Sequence, residues 1–294
     1  GEARGRGRAP PSFTLHAALG ACAPLLLRFG GHSAAAGLTI EEEKIGAFRK
    51  AINDWAAKEY PVPKPLPLKL DAVADIAELT VPTVQELSRL APFGSGNPVP
   101  VFLLQNAAVD GIWPLGSAGR HCRIRLRQGG AACLVSLFGT APDDLPYRMG
   151  TAVDAAVEVR IFQGRGGPMV SCHCCAMRPA GLGNAPAEQA ARFDAFLSGA
   201  ALPDDERLAC LPTRAATAAV YRMVRTGNVF ADDLQPLFAT AGPENTGKTL
   251  ASLTALEQLG LIERRGSRYQ PVEVTGKKDL SSAPVLRRLA EGEG

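Results

Sequence analysis

Residues 28–38 read Arg-Phe-Gly-Gly-His-Ser-Ala-Ala-Ala-Gly-Leu and separate two segments of helical periodicity. Gly30 and Gly31 have no Cβ and can take positive φ, so a ligand phosphate could approach the main-chain N–H groups there. His32 would add a hydrogen-bond donor to the same loop. A second interpretation stays open on spacing alone, in which the glycines end a helix and the histidine is buried.

Two segments of the chain carry a family resemblance. Residues 27–37 resemble the GGH-x-x-AAG signature of the DHH-associated domain in the DHH phosphoesterase superfamily. Residues 90–102 (LAPFGSGNPVPVF) resemble the segment that leads into the oligonucleotide-binding (OB) domain of RecJ exonucleases. The two motifs stand in the order of that family, and the similarity extends from residue 14 to residue 179 and more weakly to the C-terminus.

Composition indicates a folded protein of several domains. The chain has 294 residues, of which 46% are hydrophobic and 21% charged, with a net charge of +3. The positive excess is concentrated in residues 120–180, which carry 8 Lys and Arg against 4 Asp and Glu. No apolar run approaches the ~20 residues of a membrane span. Seven cysteines without a regular framework, and no secretion signal, predict reduced thiols, a cytoplasmic location and no membrane partner.

The first domain is predicted to alternate helix and strand. A helix over Leu15–Leu27 leads to the glycine loop, and a strand follows over Gly37–Ile40. Thr39 is expected to cap a second helix, with Glu41–Glu43 in its first turn. Three adjacent carboxylates point in different directions around a helix, which disfavours the alternative of a metal site. The buried face of this helix would consist of Ile45, Phe48, Ile52 and Trp55.

The fold class predicted for the whole chain is α+β multidomain. Changes in composition along the chain, together with the family resemblance, divide it into five segments. These are a Gly/Arg/Pro-rich disordered or truncated edge, a partial DHH-associated α/β domain, a linker with a connecting helix, an OB-type barrel and an α-rich, winged-helix-like C-terminal domain. The respective ranges are 1–13, 14–60, 61–100, 101–180 and 187–294.

Four alternating prolines mark the boundary before the barrel, because this spacing excludes a helix. An edge strand over Leu68–Ile76 and a short helix over Val84–Leu90 are expected to follow. The prolines are Pro61, Pro63, Pro65 and Pro67.

Five strand-like runs separated by glycine-rich turns occur within about 80 residues, a pattern typical of a small OB-type barrel. These runs are Val101–Val109, His121–Arg127, Ala132–Phe138, Val153–Phe162 and Met169–Met177.

The second run alternates arginine with aliphatic residues, which predicts one cationic face and one core face. OB modules bind single strands with a charged groove for phosphates and aromatic faces for bases. A solvated outer face without a ligand is the alternative, and the family resemblance favours binding. The candidate nucleic-acid contacts are Arg120, Arg123, Arg125, Arg127, Trp113, Phe138 and Phe162.

Two further segments match known motifs for ligand sites, but their sequence context disfavours those sites. Residues 172–175 (Cys-His-Cys-Cys) contain a C-x-x-C, but a strand would split these ligands between two faces, so buried thiols are favoured over zinc. Residues 242–249 match the P-loop pattern, yet a helical pattern precedes them where a buried strand is required. Asn245 or Thr246 as a helix cap explains this segment better than ATP binding.

Four helical patterns and a basic hairpin at 261–269 make up the C-terminal region, which suggests a docking module for nucleic acid or for a protein partner. The helical patterns are Ala187–Leu197, Ala215–Val224, Asp232–Ala239 and Thr249–Leu259.

The resemblance implies the substrate-binding half of a 5′→3′ single-stranded-DNA exonuclease. In that family Mn²⁺ or Mg²⁺ is held by an N-terminal DHH module, which is expected to be missing from this chain, so no catalytic residue, metal ligand or cofactor is predicted within it. Gly30, Gly31 and His32 would contact substrate phosphates. The alternative is a non-catalytic single-strand-binding or adaptor protein, and the absence of an initiator Met favours a fragment.

Overall fold

A computed structural model describes residues 1–10, 12–60, 67–94, 96–164 and 166–291. These residues form two compact units. The first consists of Gly1–Pro67 with Ala187–Pro203, and the second of Leu68–Pro186 with Asp204–Gly294. Within the described ranges, none of the helices is both long and apolar enough to cross a membrane.

The first unit contains a three-stranded antiparallel sheet and two helices that precede residue 61. The sheet order is β1-β3-β2, with β3 in the centre. Leu15, Leu19 and Ala36 are buried between the sheet and the helices, and Phe29 and Phe48 pack against them. The elements are β1 (Glu2–Arg8), α1 (Leu15–Ala21), β2 (Arg28–Gly31), β3 (Ala35–Glu41) and α2 (Ile45–Glu59). A further helix, α4 (Ala185–Leu197), lies mostly in this unit.

The expectation of disorder over residues 1–13 is not met, because Glu2–Arg8 form strand β1. Its small residues Ala3, Gly5 and Gly7 are half-buried on the face toward the helices, while its arginines are exposed on the other. The strand pairs with β3 along its whole length. The composition predicts a tail. Exposed and half-buried residues alternate with a period of two, however, and β3 offers an edge for pairing, so the segment forms a strand.

The predicted helix Leu15–Leu27 is shorter than expected. Helix α1 ends at Ala21, a 3₁₀ turn spans Ala23–Leu25, and the chain is extended from Leu26 into β2. Pro24 lies within that turn, where it cannot continue an α-helix. The glycines therefore stand in a strand rather than at the end of a helix.

The predicted strand at Gly37–Ile40 is present as part of β3. Thr39 lies buried within it, so it does not cap α2. A 3₁₀ turn over Glu42–Lys44 leads into that helix instead, and of its expected buried face Ile45 is exposed and the other three side chains are half-buried.

The second unit begins with a short connecting segment. Pro61, Pro63 and Pro65 lie outside the described residues. Of the expected strand Leu68–Ile76, only β4 (Ala72–Val73) pairs, and it runs parallel to the first barrel strand. A 3₁₀ turn follows, and then α3 (Val81–Leu87).

The five predicted strands form a closed barrel of the OB type. Each strand pairs with its neighbour, β7 runs parallel to β9, and the pairing of β5 with β8 closes the circle. The strands are β5 (Val101–Leu115), β6 (His121–Gln128), β7 (Ala131–Leu137), β8 (Ala152–Gly164) and β9 (Gly167–Pro179).

The barrel core continues into the connecting segment. Cys122, Ile124 and Leu126 point inward from β6 and are completely buried. Ile76 and Val84 belong to the same buried cluster. The Ile76 N–H donates to Gln128 Oε1 (2.8 Å), so the connecting segment is anchored to the barrel wall.

Helices and one hairpin complete the second unit. Three of the four helices predicted for the C-terminal region precede the hairpin here, and two further helices flank this group, whereas the fourth, α4, lies mostly in the first unit. The central helices are α6 (Arg214–Arg225), α7 (Gln235–Ala241) and α8 (Thr246–Gln258), the hairpin is β10 (Ile262–Arg265) with β11 (Arg268–Pro271), and the flanking helices are α5 (Asp204–Ala209) and α9 (Pro284–Glu291).

The segment that matches the P-loop pattern connects two of these helices. Gly242 follows α7, and a 3₁₀ turn over Pro243–Asn245 opens α8. Asn245 holds the N-cap position, but its side-chain amide donates to Ala241 O rather than capping the helix. Strand, loop and helix therefore do not occur in the order that a phosphate loop needs.

Candidate nucleic-acid interface

The outward side of β6 carries the predicted row of arginines. Arg123, Arg125 and Arg127 alternate along the strand with the three buried core residues. Their register sets Trp113 of β5 directly across from Arg123, and the exposed Leu134 of β7 across from Arg125. We call the outward surface of β6 and its two neighbouring strands the β6 face.

Asp110 neutralises part of this face. It is the extra residue at a bulge of β5, between Val109 and Gly111. Its carboxylate pairs with Arg125 Nε (2.6 Å) and with Arg127 Nη2. The hydrogen bond from Arg127, and then the charge of Arg125, lower the pKa of Asp110. The side chain of Arg123 forms no hydrogen bond or ion pair within the described parts of the chain.

Trp113 has a defined position on the β6 face. Its ring lies against the backbone of Gly111, where a Cβ would come within 2.2 Å of Cη2. The Arg125 guanidinium carbon lies 5.8 Å from the ring centroid. The indole is 44% exposed.

The remaining predicted contacts fall in different places. Arg120 is exposed in the loop before β6. Phe138 follows β7, is 58% exposed, and packs its ring 5.4 Å from that of His121 on the β6 face. Phe162 is equally exposed but lies on β8, across from Met169, and no described contact joins it to the arginines.

The GGH segment runs from the end of β2 into the turn of the β2–β3 hairpin. The His32 N–H donates to Ala35 O (2.8 Å), so this amide is not free for a ligand. Gly31 has φ of 144°, and a Cβ there would lie 2.4 Å from Ala35 O. Glycine is therefore required to close the turn. The side chain of His32 is exposed at the tip.

Four arginines that sequence analysis missed surround these glycines. Gly30 pairs with Gly37, which pairs with Arg6 on the other side, so one row of the sheet carries Arg6 beside two glycines. A Cβ on Gly30 would meet nothing within 4 Å, so the surface is open there. The neighbouring rows bear Arg4, Arg8 and Arg28, all exposed.

The side chains of these four arginines make no hydrogen bond or ion pair with any residue that the structure describes. We call them, with Gly30 and Gly37, the arginine platform. The Arg-x-Arg-x-Arg alternation of residues 4–8 is the sequence signal that could have identified three of them.

The cysteine-rich segment follows the alternation of a barrel strand. Cys172 is buried in the core, Cys174 packs against it, and Cys175 is exposed. Burial raises the pKa of Cys174 to about 12, so its thiol stays protonated. In the described ranges, no group of three or more His, Cys, Asp or Glu residues is arranged to hold a metal ion.

The basic hairpin contacts the barrel. Ser267 Oγ donates to Asp144 Oδ1 (2.7 Å), and Arg268 Nη2 donates to Asp143 O (2.6 Å). Arg264 pairs with Asp232 at 2.5 Å. Two of the hairpin arginines therefore serve contacts within the unit.

Comparison with known proteins agrees with the motif resemblance. Residues 70–174 match the family model described as the RecJ OB domain. The chain is 31% identical over 128 residues to the single-stranded-DNA-specific exonuclease RecJ of Bacillus subtilis, and 38% identical over 110 residues to that of Thermus thermophilus. These alignments cover 43% and 37% of the chain but only 16% of each relative.

Two solved structures also show similarity. The crystal structure of RecJ in complex with Mn²⁺ from Thermus thermophilus aligns with a TM-score of 0.48 at 30% identity, covering 60% of this chain and 25% of that one. The Mg²⁺ complex from the same organism aligns with a TM-score of 0.47 at 22% identity, covering 85% and 47%.

Proposed function

We propose that this chain binds single-stranded DNA as the substrate-binding part of a RecJ-like 5′→3′ exonuclease in DNA repair and recombination. The observation that carries the proposal is the β6 face. Three arginines and an exposed tryptophan share one outward surface of a barrel whose sequence matches the RecJ OB domain.

The chemistry of the face suits a single strand. OB folds bind oligonucleotides across their second and third strands, which correspond to β6 and β7 here. Arginine neutralises phosphates, while an indole stacks on any base because every base has a π-face. Sequence-independent binding with a strong salt dependence is therefore expected.

The arginine platform would supply a second set of phosphate contacts. Arg6 flanks the open surface above Gly30 and Gly37, where a phosphate can approach the backbone without meeting a side chain. Gly30, Gly31 and His32, which the resemblance assigns to substrate binding, lead from the end of β2 into the adjacent turn. His32 can donate to a phosphate oxygen from the exposed tip.

Among the described residues, no three or more His, Cys, Asp or Glu side chains are grouped so that they could hold a metal ion. We assign binding to this chain and derive no hydrolytic step from its residues. By resemblance, that chemistry belongs to a DHH module.

The proposal is tested by the triple substitution Arg123→Ala, Arg125→Ala, Arg127→Ala. The side chains point outward, so folding should persist while affinity for an oligothymidine strand falls about tenfold or more at low salt. Fluorescence anisotropy titration measures the dissociation constant.

The matched control is Arg49→Ala, Arg222→Ala, Arg225→Ala, which removes the same charge from exposed positions on α2 and α6. An equal loss in both variants would reduce the effect to net charge. An unchanged dissociation constant in the first variant would refute the role of the β6 face.

A further inference from the structure

At the end of the β6 face, Phe138 stands beside two histidine rings. Its ring centroid lies 5.4 Å from that of His121 and 5.0 Å from that of His173, at interplanar angles of 68° and 69°. His121 comes from β6 and His173 from β9, next to Ser136 of β7. Three strands thus converge on one exposed aromatic side chain.

A hydrogen bond joins His121 to the turn that follows β7. The Gly139 N–H donates to His121 Nδ1 (2.8 Å). Gly139 has φ of 81° and follows Phe138 directly, so this bond holds the turn that presents the phenyl ring.

We propose that Phe138 is a nucleobase-stacking residue of the β6 face, and that His121 is the positioning residue that keeps it in place. The proposal rests on single-strand binding by this face. His121 lies on the outward side of β6, two residues before Arg123. A DNA strand that lies along the arginines therefore reaches His121 and then Phe138.

Carboxylates in a cleft beside Phe138 favour a base over a phosphate as the group that contacts its ring. Phe138 also borders a cleft of about 410 Å³ that is lined by Asp144, Asp232 and Asp233. These carboxylates are bonded to Ser267, Arg264 and Tyr147, respectively. A phosphate would meet repulsion there, whereas an uncharged base can stack on the phenyl ring.

The other charged neighbours are few. His173 lies across from Glu158 of β8, which pairs with Arg160 (2.7 Å). Cys175 lies near the same Glu158, and burial, followed by the charge of Glu158, raises the pKa of that thiol. On β6 the neighbouring charge is Arg123.

The test measures binding of the full chain to oligothymidine and to an abasic strand of equal length. Phe138→Ala should lower affinity for oligothymidine about tenfold and leave affinity for the abasic strand unchanged, because stacking needs a base. The control Leu208→Ala removes an exposed apolar side chain from α5 and should change neither.

His121 is tested by two variants. His121→Ala removes the acceptor for the Gly139 N–H, so it should bind oligothymidine as weakly as Phe138→Ala. His121→Asn keeps an acceptor near the position of Nδ1, so it should retain the affinity of the unaltered chain.

Equal affinity of Phe138→Ala and the unaltered chain for oligothymidine would overturn the inference while leaving the proposed function intact. Full affinity of His121→Ala for oligothymidine would overturn the role of His121. Failure of the unaltered chain to bind either strand would overturn the proposed function as well.

Discussion

At the scale of single residues, Asp110 sets the electrostatics of the β6 face. One carboxylate at a bulge holds two of the three arginines, so the net charge of the cluster is lower than its arginine count suggests. The same pairing orients Arg125 near Trp113. Asp110 thus reduces attraction to phosphates while it orders the side chains that meet them.

Replacement of Asp110 by Asn should act in two directions. The freed arginines should raise affinity for a single strand at low salt, whereas loss of the ion pairs should lower the free energy of unfolding at pH 7. Because the folded pKa of Asp110 is lowered, its stabilisation is present above about pH 4 and is lost as the pH falls through the folded pKa.

Urea denaturation at neutral and acid pH checks this prediction. The difference between Asp110→Asn and the unaltered chain should shrink in acid. Asp54→Asn serves as control, because it breaks only an exposed pair with Lys50 on α2. A difference that stays constant across the pH range would contradict the assigned ion pairs.

At the scale of elements, β1 shows how a strand can combine two roles. Its small residues face the helices, and its arginines extend the sheet surface around the GGH turn. The strand completes one edge of β3 and also forms half of the arginine platform.

Removal of the β1 arginines should change binding but not folding. The variant Arg4→Ala, Arg6→Ala, Arg8→Ala leaves the backbone pairing intact, since these side chains are exposed. If each arginine contacts one phosphate, the slope of log K against log salt should become less steep by about 2.

Titrations at several salt concentrations give this slope, with circular dichroism as a check on folding. The triple variant at Arg49, Arg222 and Arg225 again controls for net charge. An unchanged slope would exclude the arginine platform from the interface.

At the scale of the whole molecule, the barrel and the C-terminal helices form one unit through a polar junction. The buried Tyr147 hydroxyl lies 3.0 Å from Met177 O on β9 and 3.1 Å from Asp233 Oδ2 before α7. The β10–β11 turn adds the contacts of Ser267 and Arg268 with the loop at Asp143. The predicted docking module is therefore itself docked on the barrel.

Tyr147→Phe should weaken that junction. The change removes one buried hydroxyl, leaves Met177 O without this donor, and should lower the free energy of unfolding by about 1–3 kcal/mol. The matched control is Tyr221→Phe on α6, a half-buried tyrosine whose hydroxyl has no hydrogen bond in the described structure. Equal stability of the two variants in urea denaturation would show that the junction contributes nothing.

The amino-acid pattern alone determined the elements that repeat a local period. Five strands, the division of β6 into a core side and an arginine side, and most of the C-terminal helices follow from periodicities of two and 3.6 residues. The tertiary structure determined which residues contact one another. Asp110 meets Arg125 and Arg127 only through a bulged pairing, β1 is a strand because β3 offers an edge, and His121 reaches Gly139 and Phe138 only when β6 and β7 are paired. Each of these contacts joins residues that are remote in the chain, so no local pattern specifies it.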